Sequence, residues 1–124
     1  MNIFLVEDDK IYSDFISKTL NRDSAYKIQS FYAAEDALAA ISGTLPDVMI
    51  IDYKLPGMSG IELFEKLKSK ITDSTRVIML SALDDGNMVL SFIQKGVRDY
   101  VIKDENVIDS LQAILEDKDD YLFG

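Results

Sequence analysis

Short apolar runs alternate five times with longer segments of helical period, and this alternation restricts the chain to one kind of architecture. Ile3-Phe4-Leu5-Val6, Val48-Met49-Ile50-Ile51, Val77-Ile78-Met79-Leu80 and Tyr100-Val101-Ile102 read as strands, and Val48-Met49-Ile50-Ile51 is continuous and apolar, as a central parallel strand buried on both faces should be. Residues 26–31 alternate more than they run, which suits a strand near a sheet edge. Helical spacing marks the segments between. Residues 10–21 carry Ile11, Phe15, Ile16, Thr19 and Leu20 on one expected stripe, and residues 33–41 form an alanine-rich helix closed by Ser42-Gly43. Residues 59–70 form the next helix, with Leu63, Phe64, Leu67 and Ile71 inward, and residues 84–95 end near Gly96. Val107, Ile108, Leu111, Ile114 and Leu115 mark a last helix, with Asp117-Lys118-Asp119-Asp120 as a polar stop. Tyr121-Leu122-Phe123 then either packs back or begins a further segment. Strands in alternation with helices build βαβ units, so the expected class is α/β with a parallel sheet.

Composition removes several function classes. The chain has 124 residues, 48% of them hydrophobic, which suits one domain with a sizeable core. There is no cysteine, so neither disulfides nor a thiolate metal site can form. There is no histidine either, which excludes an internal phosphohistidine donor, a histidine-based triad and imidazole-bound zinc. A formal charge of -9 argues against nucleic-acid contact, which needs a basic surface. Much of that charge is ordinary solvated helix surface. No apolar run reaches the ~18 residues of a membrane span. The first residues, Met1-Asn2-Ile3-Phe4-Leu5-Val6-Glu7, read as a strand and not a signal peptide. A cytoplasmic protein without membrane contact is the expectation.

In an open parallel α/β sheet, ligands bind outside the carboxyl ends of the strands. Glu7, Asp8 and Asp9 follow the first run, Asp52 the third, Ser81 the fourth and Lys103 the fifth, whereas the second offers only Tyr32. Carboxylates gathered at one edge repel each other. Hard oxygen donors without nitrogen or sulfur suit Mg²⁺ or Mn²⁺, which would relieve that repulsion. A nucleophilic carboxylate, a divalent ion, an ammonium and a hydroxyl together suffice for phosphoryl transfer, which needs positioning and charge neutralisation. Taken singly, Asp9 is as readily a helix N-cap, Ser81 a turn residue and Lys103 a surface lysine. Their joint placement requires several independent accidents under that reading.

These residues also carry a family resemblance over nearly the whole chain. Val6-Glu7-Asp8-Asp9, Asp52-Tyr53-Lys54-Leu55-Pro56-Gly57-Met58-Ser59-Gly60, Val77-Ile78-Met79-Leu80-Ser81-Ala82 and Gly96-Val97-Arg98-Asp99-Tyr100-Val101-Ile102-Lys103 resemble, in order, four motifs of response-regulator receiver domains. The resemblance implies a flavodoxin-like fold with strand order 2-1-3-4-5, and one receiver domain over residues 1–124. It implies Asp52 as the phosphorylated residue, with Mg²⁺ held by Asp8, Asp52 and the Lys54 backbone carbonyl, and by Glu7 through water. It implies that Lys103 contacts the phosphoryl group, that Ser81 hydrogen-bonds it and that Tyr100 is an aromatic switch. The implied donor is a histidine kinase or phosphotransfer protein. The readout is a changed surface of helix four, strand five and helix five, presented to a downstream effector or output domain. Lys54 and Leu83 lie where family members tune dephosphorylation. The chain departs from the family after Lys103: Asp104 stands where proline, often cis, is usual. A non-proline cis bond costs ~3 kcal/mol, so a trans bond is expected, with Asp104 free to cap the last helix.

Three other readings fit less well. A module of this fold that binds partners without phosphorylation has no use for the complete acid, hydroxyl and lysine set. A Mg²⁺-dependent phosphatase with an aspartate nucleophile usually needs a second acid two residues on, where this chain has Lys54. A flavin carrier needs a phosphate-binding loop after strand one, and Glu7-Asp8-Asp9 would repel the phosphate.

Overall fold

The computed structural model describes residues 1–23, 25–72, 74–82 and 86–121. Their elements are β1 (Asn2–Val6), α1 (Lys10–Leu20), β2 (Lys27–Phe31), α2 (Ala34–Ile41), β3 (Val48–Asp52), α3 (Gly60–Leu67), β4 (Arg76–Ser81), α4 (Gly86–Gln94), β5 (Asp99–Ile102) and α5 (Val107–Tyr121). The strands form one parallel sheet in the order β2-β1-β3-β4-β5, as expected, with β2 at an edge.

Successive strand residues point to opposite faces, and the two halves of the core divide on that rule. Phe4, Val6, Met49, Ile51, Val77 and Met79 pack with α2, α3 and α4, through Ala37, Leu63, Leu67 and Phe92. Ile3, Leu5, Val48, Ile50, Ile78 and Leu80 pack with α1 and α5, through Ile16, Leu20, Leu111 and Leu115. The continuous apolar runs are thus continuous because both faces of the central strands are covered. Arg76 grips Asp99 through two hydrogen bonds of 2.8 and 3.2 Å and reaches the Ile114 carbonyl at 3.4 Å, tying β4, β5 and α5 together below the site.

Three sequence expectations need correction. The inward face of α1 is not the expected stripe: Ile16 and Leu20 are buried, but Ile11 is 85% and Phe15 48% exposed. At about 100° per residue, Ile11 lies roughly 140° around the helix from Ile16. Tyr12 and Ser13 fall on the covered side instead. The third helix stops at Leu67, before the expected Lys70. The last helix passes through the supposed stop at 117–120 and reaches Tyr121. Aspartate costs a helix only a few tenths of a kcal/mol, and neither glycine nor proline stands there to end it. The expected start of the fourth helix at Asp84, and Leu83, Leu122 and Phe123, lie outside the described residues.

One glycine fixes how closely α3 approaches the end of β3. A Cβ on Gly60 would sit 2.2 Å from the Asp52 carbonyl oxygen, and the Gly60 amide donates to the Tyr53 carbonyl at 3.0 Å. Gly60→Ala must therefore push apart two backbone segments beside Asp52. We expect it to destabilise the chain by ~1–3 kcal/mol in urea unfolding. Gly43→Ala, whose Cβ would meet nothing nearer than 3.8 Å, should stay close to wild type. Equal midpoints for the two variants would contradict this account.

Candidate functional site

The strand order reverses between β1 and β3, so a crevice opens beyond their carboxyl ends. The ladder continues past the strands there. The Glu7 amide donates to Phe31 O at 3.0 Å, Tyr53 to Leu80 O at 2.8 Å and Lys103 to Ser81 O at 2.8 Å. Backbone register therefore sets the heights of Glu7, Asp52, Ser81 and Lys103 relative to one another.

Glu7, Asp8 and Asp52 each bring a carboxylate oxygen to within 4.8 Å of the others. Glu7 and Asp52 are buried, 1% and 4% exposed, and Asp8 lies at the open rim. Lys103 spans the two buried acids: its ammonium donates to Glu7 Oε1 and stands 3.3 Å from Asp52 Oδ2. The second Glu7 oxygen accepts from the Asp9 amide at 3.2 Å, and Asp52 Oδ1 accepts from the Lys54 amide at 3.3 Å. Asp9 is the N-cap of α1, accepting from the amides of Ile11 and Tyr12 at 3.0 and 3.1 Å, and does not join the acid cluster. Asp104 follows Lys103 through a trans peptide and accepts from the Asn106 amide at 2.8 Å. It shapes the turn into α5 rather than capping the helix with its side chain at Val107, whose amide bonds the Asp104 carbonyl.

Ser81 and Tyr100 sit where sequence placed them but face other elements. The buried Ser81 hydroxyl donates to the Met88 thioether on α4 at 3.4 Å. Tyr100 on β5 is 39% exposed. Met88 lies seven residues past Ser81, where helical spacing marks only a core methionine. A second unforeseen residue is Tyr12, whose ring centroid lies 4.8 Å from the Lys103 ammonium.

Charge and burial shift three of these groups. Burial pushes the Glu7 carboxyl up, Lys103 opposes this, and the charge of Asp52 adds to the rise, leaving the pKa at about 7. For Lys103, burial pulls down most strongly among single causes, but the Glu7 and Asp52 carboxylates together outweigh it and the pKa is raised. Burial also raises the Tyr12 phenol. The Glu7 shift has a sign for stability. Between the ordinary 4.5 and about 7, the folded chain holds a proton that the unfolded chain has released. Stability is therefore lost as pH rises through that window, by up to ~3 kcal/mol. A cation bound among the carboxylates favours the ionised form and so opposes the shift. Thermal melts should show Mg²⁺ stabilising the chain more at about pH 8 than at about pH 5; an equal gain at both would contradict the assignment of the shift to Glu7.

The donor set fits a hard divalent ion: three carboxylates, no nitrogen or sulfur, and one open side. The profile of the response regulator receiver domain matches residues 3–116. The chain belongs to the response regulator receiver family. It is 30% identical over 102 residues to the chemotaxis protein CheY of Listeria monocytogenes, covering 80% of this chain and 83% of that protein. It is 30% identical over 102 residues to the C4-dicarboxylate transport transcriptional regulatory protein DctD of Rhizobium meliloti, covering 82% of this chain but only 22% of that protein. Among solved structures, the Thermotoga maritima response regulator TrrA, in complex with Mg(2+)-BeF, superposes with a TM-score of 0.81 at 26% identity, over 94% of this chain and 97% of that one. This receiver is accordingly a signalling domain of two-component systems and not an enzyme of the ordinary kind. Among the described residues, no helix is long and apolar enough to cross a membrane.

Proposed function

We propose that residues 1–124 act as one phosphoacceptor domain and that Asp52 takes a phosphoryl group from a phosphohistidine of a histidine kinase or phosphotransfer protein. The observation that carries this reading is the buried Asp52 carboxylate held 3.3 Å from the Lys103 ammonium at the mouth of the crevice. One Asp52 oxygen attacks phosphorus as the bond from phosphorus to the donor imidazole breaks. The electron pair leaves with the imidazole, and an acyl phosphate remains on Asp52. Lys103 balances charge on the transferring oxygens, and Ser81, released from Met88, donates to one of them. Asp8, Asp52 and the Lys54 carbonyl would hold Mg²⁺ or Mn²⁺, with Glu7 acting through water; the ion supplies charge neutralisation for carboxylates and phosphoryl oxygens alike. Binding of Mg(2+)-BeF by a relative of the same fold supports this reading.

The modified aspartate carries roughly two negative charges more than a neutral side chain in its place would. Moving Ser81 toward it vacates space beside α4, and the exposed Tyr100 ring can turn into that space. The surface of α4, β5 and α5 then changes for a downstream effector or output domain. On this reading the exchange is a cytoplasmic one.

The test is incubation with acetyl phosphate and Mg²⁺, followed by intact-mass measurement and peptide mapping. One phosphoryl group per chain on Asp52 is expected. Label on another residue, or none, overturns the reading.

A further inference from the structure

We propose that the ring of Tyr12 is a positioning residue for Lys103, holding its ammonium at the point between Glu7 and Asp52 where the phosphoryl group arrives. The inference deepens the phosphoacceptor reading and rests on it. Lysine ends in a compact charge on a flexible four-carbon stem, with roughly 2 kcal/mol of rotamer entropy to lose. Something must therefore define where it stops. In this chain the ammonium touches two carboxylates, Glu7 and Asp52, and one aromatic face, Tyr12, at 4.8 Å from the ring centroid. That distance is within the range of a cation–π contact. On the phosphoacceptor reading both carboxylates would change, Asp52 by becoming an acyl phosphate and Glu7 by helping to hold a divalent ion through water. The ring face does not change charge, so it is the constant wall of the lysine's position.

Tyr12 is itself held for that task. Its amide is fixed by the Asp9 cap, its ring packs on the core between α1, α5 and the sheet, and Phe15 leans on it at 6.0 Å between centroids. Its hydroxyl is buried and makes no hydrogen bond among the described residues. A tyrosine whose hydroxyl has no partner is not placed by that hydroxyl. What it presents to the site is its ring, half-buried at the first turn of the helix that follows Glu7 and Asp8.

The test compares Tyr12→Phe, which keeps the ring, with Tyr12→Leu, which keeps apolar bulk and helix propensity but has no π face. Beryllofluoride with Mg²⁺ serves as the phosphoryl probe, its affinity measured by calorimetry on the whole chain. Tyr12→Phe should bind as wild type does, and Tyr12→Leu about fivefold more weakly. In a Lys103→Ala background, Tyr12→Leu should add no further loss, which separates positioning from a general packing defect. A second readout needs neither metal nor phosphate analogue. Ring current should shift the Lys103 Cε–Hε signals upfield in wild type and Tyr12→Phe, and the shift should vanish in Tyr12→Leu. Pentafluorophenylalanine at position 12 keeps the size of the ring while reversing its field. It should weaken probe binding as leucine does, and serves equally if the leucine variant folds poorly. Wild-type affinity in both Tyr12→Leu and the fluorinated chain, or the same loss with and without Lys103, overturns the proposal. If wild type does not bind beryllofluoride, the phosphoacceptor reading fails, and the Lys103 shift alone still decides whether the ring holds the lysine.

Discussion

Asp52→Asn is expected to take no phosphoryl group from acetyl phosphate and to let Glu7 ionise more easily. The two effects have different physical sources. Asparagine keeps the shape of the side chain, and its carbonyl can still accept from the Lys54 amide, so the end of β3 should not move. It has no anionic oxygen to attack phosphorus. Deleting the nucleophile of a covalent hydrolase costs on the order of 10⁶-fold, so label should fall below detection at concentrations that saturate wild type. The second effect is electrostatic. Burial is the main reason that the Glu7 pKa stands at about 7, and Asp52 adds to it as a like charge. Removing that charge should lower the Glu7 pKa while leaving it above the ordinary 4.5, because burial, the dominant cause, persists. Carbon-detected NMR titration of the Glu7 carboxyl measures the second effect, and mass spectrometry the first. Labelling of the Asp52→Asn variant at the wild-type level would remove Asp52 from its role. An unchanged Glu7 titration would show that the two carboxylates do not interact.

What sequence makes legible here is whatever depends on period and on position along a strand. Both-face burial of β1, β3 and β4 forces continuous apolar runs, so Glu7, Asp52 and Ser81 could be placed at the sheet's functional edge from sequence, while Lys103 follows the shorter run of the edge strand β5. Period alone leaves strand order open; the family resemblance supplied it. Phase within a helix is harder. Helix α1 carries apolar side chains on more than one arc, and Ile11 and Phe15 look inward until the sheet shows which arc it covers. Contacts between long side chains from separate elements are harder still. Nothing in residues 10–20 announces that Tyr12 meets a lysine 91 positions away, and nothing near Ser81 marks Met88 as more than packing. Gly60 lies inside a recognisable motif, yet its reason, the Asp52 carbonyl 2.2 Å from where a Cβ would stand, belongs to tertiary structure.

Lys103→Ala should have an effect on stability that depends steeply on pH, and an effect on phosphoryl transfer that does not depend on folding. In wild type the ammonium is the one cation bonded to both buried acids among the described residues. Taking away one member of a buried pair costs ~3–5 kcal/mol when the other is left charged. Glu7 has an escape, because its pKa is already about 7 and Lys103 is a cause that lowers it. Without the lysine the pKa rises further, and the carboxyl stays protonated near neutral pH. At about pH 5 the folded variant then carries a neutral Glu7, and what it loses relative to wild type is the contact of Lys103 with Asp52. As pH climbs past 7 the variant must either keep a proton that the unfolded chain has released, or bury an unpaired charge, so its deficit grows by up to ~1.4 kcal/mol per pH unit. Melting curves for both chains at about pH 5 and about pH 8 measure that difference, and a constant gap across the two would show that Lys103 does not hold Glu7 ionised. Phosphoryl transfer should fall by about 10²–10³-fold at either pH, the usual loss when one preorganised donor to developing negative charge is removed. Measuring transfer at about pH 5, where the deficit is smallest, and at a temperature where the melting curves show both chains folded, separates that chemical loss from the structural one.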